Sequence, residues 1–229
     1  MRWKWLLGLG VLLTLTGCGE TVYQTEPCGD CQVILRESGT GGTVDLVLAD
    51  SAGETVLRTL DTPADRVSIQ AFSDVLGSSG FRLTERQGLA VRDPAEDWSL
   101  RTYYAVENGG VRQIAESFGW GAPEDYAADL DGDGRTELVS NVTYGGDGRQ
   151  DAYIYQRRED GIWRGRLSLE DLPDRSDRGA TSASVRYDAD RGVFQIRYAV
   201  KGEGDFALLE TRGMERVELV PYEKNEKEL

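Results

Sequence analysis

The sequence predicts an all-β domain made mainly of consecutive antiparallel hairpins, arranged as a sandwich or a partial, propeller-like body, with at most one or two short helices. Three observations lead there. Apolar side chains recur at every second position in many short stretches, which is the period of a half-buried strand. These stretches are separated by clusters of Gly, Asp and Asn that suit tight turns. Glycine is abundant, at 28, and proline scarce, at 6, a balance that goes with many turns rather than with disorder.

Taken in order, residues 19–30 (GETVYQTEPCGD) are polar and read as a short tether; with Cys18 they make a tether over 18–30, with a CxxC pair at its end that reaches Cys31. A β-rich domain then occupies 31–229, with a possible internal boundary near 92–97. Gln32–Leu35 is strand-like. Val44–Leu48 alternates, and Thr55–Leu60 resumes after the turn residues Ser51, Ala52 and Gly53. Asp65–Leu76 is the best helix candidate, with Val67, Ile69, Phe72, Val75 and Leu76 apolar and Gly77 to end it. Three later segments read as hairpins. Leu100–Val106 meets Val111–Glu116 across Asn108-Gly109-Gly110; Ala152–Gln156 meets Ile162–Arg164 across Glu159-Asp160-Gly161; and Ser184–Tyr187 meets Val193–Val200 across residues 188–192. The aromatics within them are expected as core or cross-strand pairs, and Glu223–Leu229 as a charged, frayed tail.

Composition removes several functions. The chain has 229 residues and no histidine, so Ser-His-Asp and Cys-His catalysis, His-ligated zinc and the usual neutral-pH proton shuttle are excluded. Its formal charge is −14, unsuited to nucleic acid or to anionic headgroups, which demand a basic face. The same charge suits an exported protein that binds cations.

The N-terminus is the most explicit segment. Arg2 and Lys4 form a positive flank, and a mostly apolar run covers Trp5–Leu15. This is shorter than the roughly 20 apolar residues needed to cross about 30 Å of hydrocarbon, but it suits the core of a secretion signal. The run ends in Leu15-Thr16-Gly17-Cys18, which resembles the lipobox of bacterial lipoproteins. The resemblance implies removal of residues 1–17 and a diacylglycerol on Cys18, often with an acylated amino terminus, so that the membrane is a partner through the lipid. Two or three acyl chains hold stably to a bilayer. Loss of Arg2 and Lys4 would take the charge from −14 to −16. Gly19 is not an acidic retention residue, so a cell with an outer membrane would send the protein there and a single-membrane cell would display it outside. The alternatives are an ordinary secretory signal or an uncleaved anchor that happens to contain a cysteine.

With Cys18 lipidated, Cys28 and Cys31 remain, in Cys-Gly-Asp-Cys. Outside the cytoplasm the pair can close a small disulfide loop; free thiols and a redox role are the alternatives, the last lacking the βαβ context that thioredoxin-like chemistry wants.

Residues 129–137 read Asp-Leu-Asp-Gly-Asp-Gly-Arg-Thr-Glu, with carboxylates at positions 1, 3, 5 and 9 and glycine at 4 and 6. Calcium takes six to eight oxygens at about 2.3–2.6 Å. A tight loop with alternate side chains turned inward supplies them: Asp129, Asp131 and Asp133 by side chain, Arg135 by its backbone carbonyl, and Glu137 directly or through water. Magnesium is the second choice, and an ion-free acidic turn the third reading. Position 12 is Ser140 where an EF-hand would place glutamate, and Leu138–Tyr144 is β-rich where it would place a helix. The loop instead resembles the strand–loop–strand calcium sites of FG-GAP and VCBS-type repeats, over about residues 129–165, although Glu replaces Asp at position 9 and no second copy is present. The resemblance implies a structural ion and a role in adhesion or carbohydrate-associated binding. Asp147 and Asp151 frame a second loop that would extend the site if the strand folds back, though a hairpin turn fits better. Asn141-Val142-Thr143 matches a glycosylation acceptor by accident.

These readings favour a non-catalytic, calcium-stabilised, membrane-anchored binding domain for an extracellular polysaccharide or protein. The alternatives are a structural lipoprotein of an envelope assembly and a glycoside hydrolase using two carboxylates, whose cleft would be flanked by Trp98, Trp120 or Trp163.

Overall fold

A computed structural model describes residues 20–39, 41–87, 98–107, 110–120, 124–144, 149–168, 180–200, 206–214 and 216–222. The all-β expectation holds: the described residues contain sixteen strands and a single three-residue 3-10 turn at Ala64–Arg66. Cys18 and the signal segment, the region near 92–97, the loop residues Asn108 and Gly109, Asp147 and the charged tail all lie outside the described residues.

The strands form meanders that follow one another along the chain. The first comprises β1 (Val22–Cys28), β2 (Cys31–Glu37), β3 (Val44–Asp50) and β4 (Gly53–Leu60). The second comprises β5 (Val67–Val75), β6 (Ser78–Gln87), β7 (Trp98–Glu107) and β8 (Gly110–Trp120). The third contains β9 (Asp125–Ala128), β10 (Glu137–Tyr144), β11 (Arg149–Arg158) and β12 (Gly161–Leu167). The last contains β13 (Ala180–Asp188), β14 (Val193–Val200) and β15 (Phe206–Arg212), and β16 (Leu219–Pro221) returns to pair with β12. A single parallel bridge, Gln150 opposite Ser184, joins the third and fourth groups into one eight-stranded sheet.

Each interface between successive groups has its own core, and the two-residue period of a strand explains how. Tyr104 packs with Phe81, Leu83, Leu35 and Leu46 between the first and second groups, whereas its neighbour Tyr103 packs with Leu138 and Tyr155 between the second and third. Likewise Leu138 and Tyr155 face the second group, while Val139 and Ile154 face Val185, Phe194 and Ile196 of the fourth. A strand apolar on both faces is one covered on both sides, so residues 137–142 are all buried. Gly80 marks the tightest approach: a Cβ there would lie 1.9 Å from the Tyr104 carbonyl oxygen, so any larger residue would push β6 off β7.

Polar side chains cross the same interfaces. The Gln24 amide accepts from the Ile69 N–H (3.0 Å) and donates to the Ile69 carbonyl (2.6 Å), tying β1 to β5 as a missing strand would. Asn141, 4% exposed, does the same for Tyr187, accepting from its N–H at 2.9 Å and donating to its carbonyl at 3.4 Å. The buried Asn141 thus meets the demand that buried polar groups be partnered, and the half-buried Gln24 is partnered in the same way. The burial of Asn141 also takes away the apparent glycosylation acceptor. Between the second and third groups, Arg101 on β7 pairs with Asp125 on β9 at 2.7 Å, their side chains 4% and 2% exposed. Tyr103 donates its hydroxyl to the same carboxylate oxygen.

Two expectations are corrected. The tether over 18–30 is not a tether in its described part, because Val22–Cys28 is strand β1. Its exposed side chains gave no apolar signal, and Pro27 is accommodated because β1 lies at a sheet edge. The helix at Asp65–Leu76 is strand β5. Val67 and Ile69 alternate normally, but pairing with β6 shifts between Phe72 and Val75, and this irregularity made 69, 72, 75 and 76 look helical. Leu76 then sits at φ 54°, ahead of Gly77 at φ 67°. Its backbone strain of about 1–3 kcal/mol is offset by a side chain only 1% exposed. The hairpins expected at 100–116, 152–164 and 184–200 are present as β7–β8, β11–β12 and β13–β14.

Candidate metal centre

The acidic loop leaves β9 at Ala128 and enters β10 at Glu137, so it joins two antiparallel strands, as the sequence implied. Gly132 and Gly134 take φ of 80° and 83°, values open to glycine and costly to other residues. These turns fold the loop onto its own carboxylates. Asp129 accepts from Gly132 N–H (2.7 Å) through Oδ1 and from Gly134 N–H (3.0 Å) through Oδ2. Asp131 accepts from Asp133 N–H at 3.1 Å, and Asp133 from Arg135 N–H at 2.8 Å.

Carboxylate oxygens of Asp129, Asp131 and Glu137 all lie within 4.8 Å of one another. Two oxygens bound to one calcium at up to about 2.6 Å lie at most about 5.2 Å apart, so the three fit a single cation. Asp129 and Asp131 are exposed and Glu137 is 1% exposed, giving a site open to solvent on one side. Each Asp129 oxygen has accepted one N–H and keeps a second lone pair. Asp133 and Arg135 are exposed, and the Asp133 carboxylate is not in the converging set.

Glu137 feels the cluster most. Burial, followed by the charges of Asp131 and Asp133, pushes its carboxyl above the ordinary range; the Leu130 N–H, donating to it at 2.8 Å, works the other way. A divalent ion beside it would reverse that balance.

Residues outside the motif brace the loop. Gln156 on β11 donates to Asp131 at 2.7 Å, and Thr136 donates to Asp74 near the end of β5 at 3.3 Å. Gly213 approaches the Leu130 carbonyl, which a Cβ there would meet at 3.0 Å. The local sequence gave no sign of these partners. Gln156 is 25 positions from Asp131, and only the pairing of β10 with β11 brings it near.

Asp151 does not extend the site: its buried carboxylate takes Arg166 Nη2 at 2.8 Å and Nε at 2.9 Å. Trp98 and Trp120 oppose each other across β7 and β8, and Trp163 lies under the Arg158 guanidinium at 4.4 Å while donating to Asp160. Cys28 and Cys31 face each other as the last pair of the β1–β2 hairpin, Cys28 buried and Cys31 half-buried, with their sulfurs not bonded.

The chain matches no protein-family model, and no curated protein matches it significantly.

Proposed function

We propose that this chain is a bacterial lipoprotein, anchored by lipid on Cys18 and held on the outer side of a membrane, that uses a calcium-stabilised β domain to bind an extracellular polysaccharide or protein without catalysing a reaction. The observation that carries the calcium reading is the convergence of Asp129, Asp131 and buried Glu137 within 4.8 Å, on a loop whose glycines adopt the backbone such a site requires. Asp133 and the Arg135 carbonyl would complete the oxygen set. The anchor rests on the charged, apolar and small-residue succession before Cys18. In that compartment Cys28 and Cys31, opposite each other at the end of the first hairpin, would form a disulfide.

Two measurements test this. Intact mass and membrane fractionation of the expressed protein should show the signal removed and acyl chains added, and Cys18→Ser should abolish both the added mass and the attachment. An unchanged mass and location would sink the anchor. The same spectrum reads the disulfide as a loss of two hydrogens. For calcium, a chelator should lower the melting temperature of the wild type and leave Asp131→Ala unmoved; equal melts of the wild type with and without millimolar calcium would refute the site.

A further inference from the structure

We propose that the cavity between the start of β9 and the β13–β14 turn is a binding site for a neutral sugar, held through a vicinal pair of hydroxyls. This rests on the binding-domain reading above and names the class of ligand. The cavity measures about 340 Å³, and its lining includes Glu124, Tyr126, Arg186, Asp188, Asp190 and Gln195. That volume lies at the small end of ligand pockets, about 300–1,000 Å³, and suits one or two sugar rings.

The polar groups come in two donor–acceptor pairs. Arg186 forms an ion pair with Glu124 through Oε2, the same oxygen to which Tyr126 donates. Gln195 donates to Asp188 Oδ2 at 2.8 Å, while Asp188 Oδ1 takes the Arg191 N–H at 3.3 Å. Each pair sets an N–H group beside a carboxylate oxygen. A hydroxyl, which donates one hydrogen bond and accepts two, is the complement of such a pair, and adjacent hydroxyls complement two of them.

Charge narrows the ligand further. An anion would meet three carboxylates against one guanidinium. A cation could meet these carboxylates but would offer no acceptor to the Arg186 guanidinium and the Gln195 amide, as a hydroxyl does. Hydrogen bonding from Tyr126 and the Arg186 charge hold the Glu124 carboxyl below its ordinary range, so it remains an acceptor at neutral pH. Tyr126 and Tyr187 also belong to the lining, their rings packed with centroids 5.8 Å apart, and would supply the apolar contact for the C–H face of a pyranose.

The test is saturation-transfer NMR on the full-length protein in a detergent without a sugar headgroup. The probes are the methyl glycosides of glucose, galactose and mannose, with spermidine as the cationic control. Transfer to at least one glycoside is expected, weakened about tenfold by Arg186→Met and by Gln195→Leu, as the loss of one hydrogen-bonding partner implies. Circular dichroism melts check that both variants remain folded. No transfer to any glycoside, equal binding by folded variants, or displacement of the glycoside by spermidine would overturn the proposal. Capture of an extracellular protein without any glycoside signal would also overturn it, while leaving the binding-domain reading intact.

Discussion

Glu137→Gln is expected to melt above the wild type in chelator and below it in millimolar calcium. The amide can still accept the Leu130 N–H and can turn its NH₂ toward Asp131, so the change removes charge with little change of shape. Without an ion, that charge is buried among Asp131 and Asp133 and its carboxyl is pushed up. A carboxyl raised in the fold contributes stability below its unfolded pKa that is lost as pH rises through its folded value. The ion-free wild type should therefore gain stability on mild acidification, and Glu137→Gln should lack that gain. With calcium at a hundred times its dissociation constant, binding contributes about 2.7 kcal/mol. For a domain of this size that is a shift on the order of 5–10 °C, most of which the variant forfeits. Scanning calorimetry of both proteins in the two buffers reads the crossover, and a variant that melts lower in both would reject it.

Arg101→Met is expected to cost about 3–5 kcal/mol, because it leaves the Asp125 carboxylate buried without its cation. Asp125→Leu should cost a similar amount by stranding the guanidinium, whose pKa burial already lowers while Asp125 supports it. The double variant Arg101→Met/Asp125→Leu should recover most of the loss, since a matched apolar pair leaves neither charge stranded. Urea unfolding of the four proteins gives the coupling energy. Additive losses would show that the pair does not hold the second and third groups together.

What could be read from the sequence divides along physical lines. Hairpins with clean alternation and a glycine-bearing turn, such as Ala152–Arg164, were legible because period and turn chemistry are both local. The acidic loop was legible because its residues lie within nine positions. Strand β1 was not, since its stability comes from pairing with β2 and from the Gln24 clip on Ile69, 45 positions away. Strand β5 was misread because a pairing irregularity imitates a helical period. Gln156, the Arg101–Asp125 pair and the cavity beside Tyr126 depend on groups brought together only by the stacking of successive meanders.

The succession of meanders also bears on the order in which the molecule can assemble. A chain delivered N-terminus first completes β1–β4 and then β5–β8, and these two alone supply every member of the first core. Neighbouring pairings keep loop closures short, the condition for fast folding. The acidic loop closes only once β10 and β11 have arrived, by which time the second group already offers Asp74 to Thr136. Strand β16 closes the sequence by returning to β12, and Tyr222 beyond it reaches back 109 residues to Gln113. A chain that emerges amino end first into the compartment where it folds would thus be protected from that end forward, with β16 and Tyr222 the last of the described residues to lock.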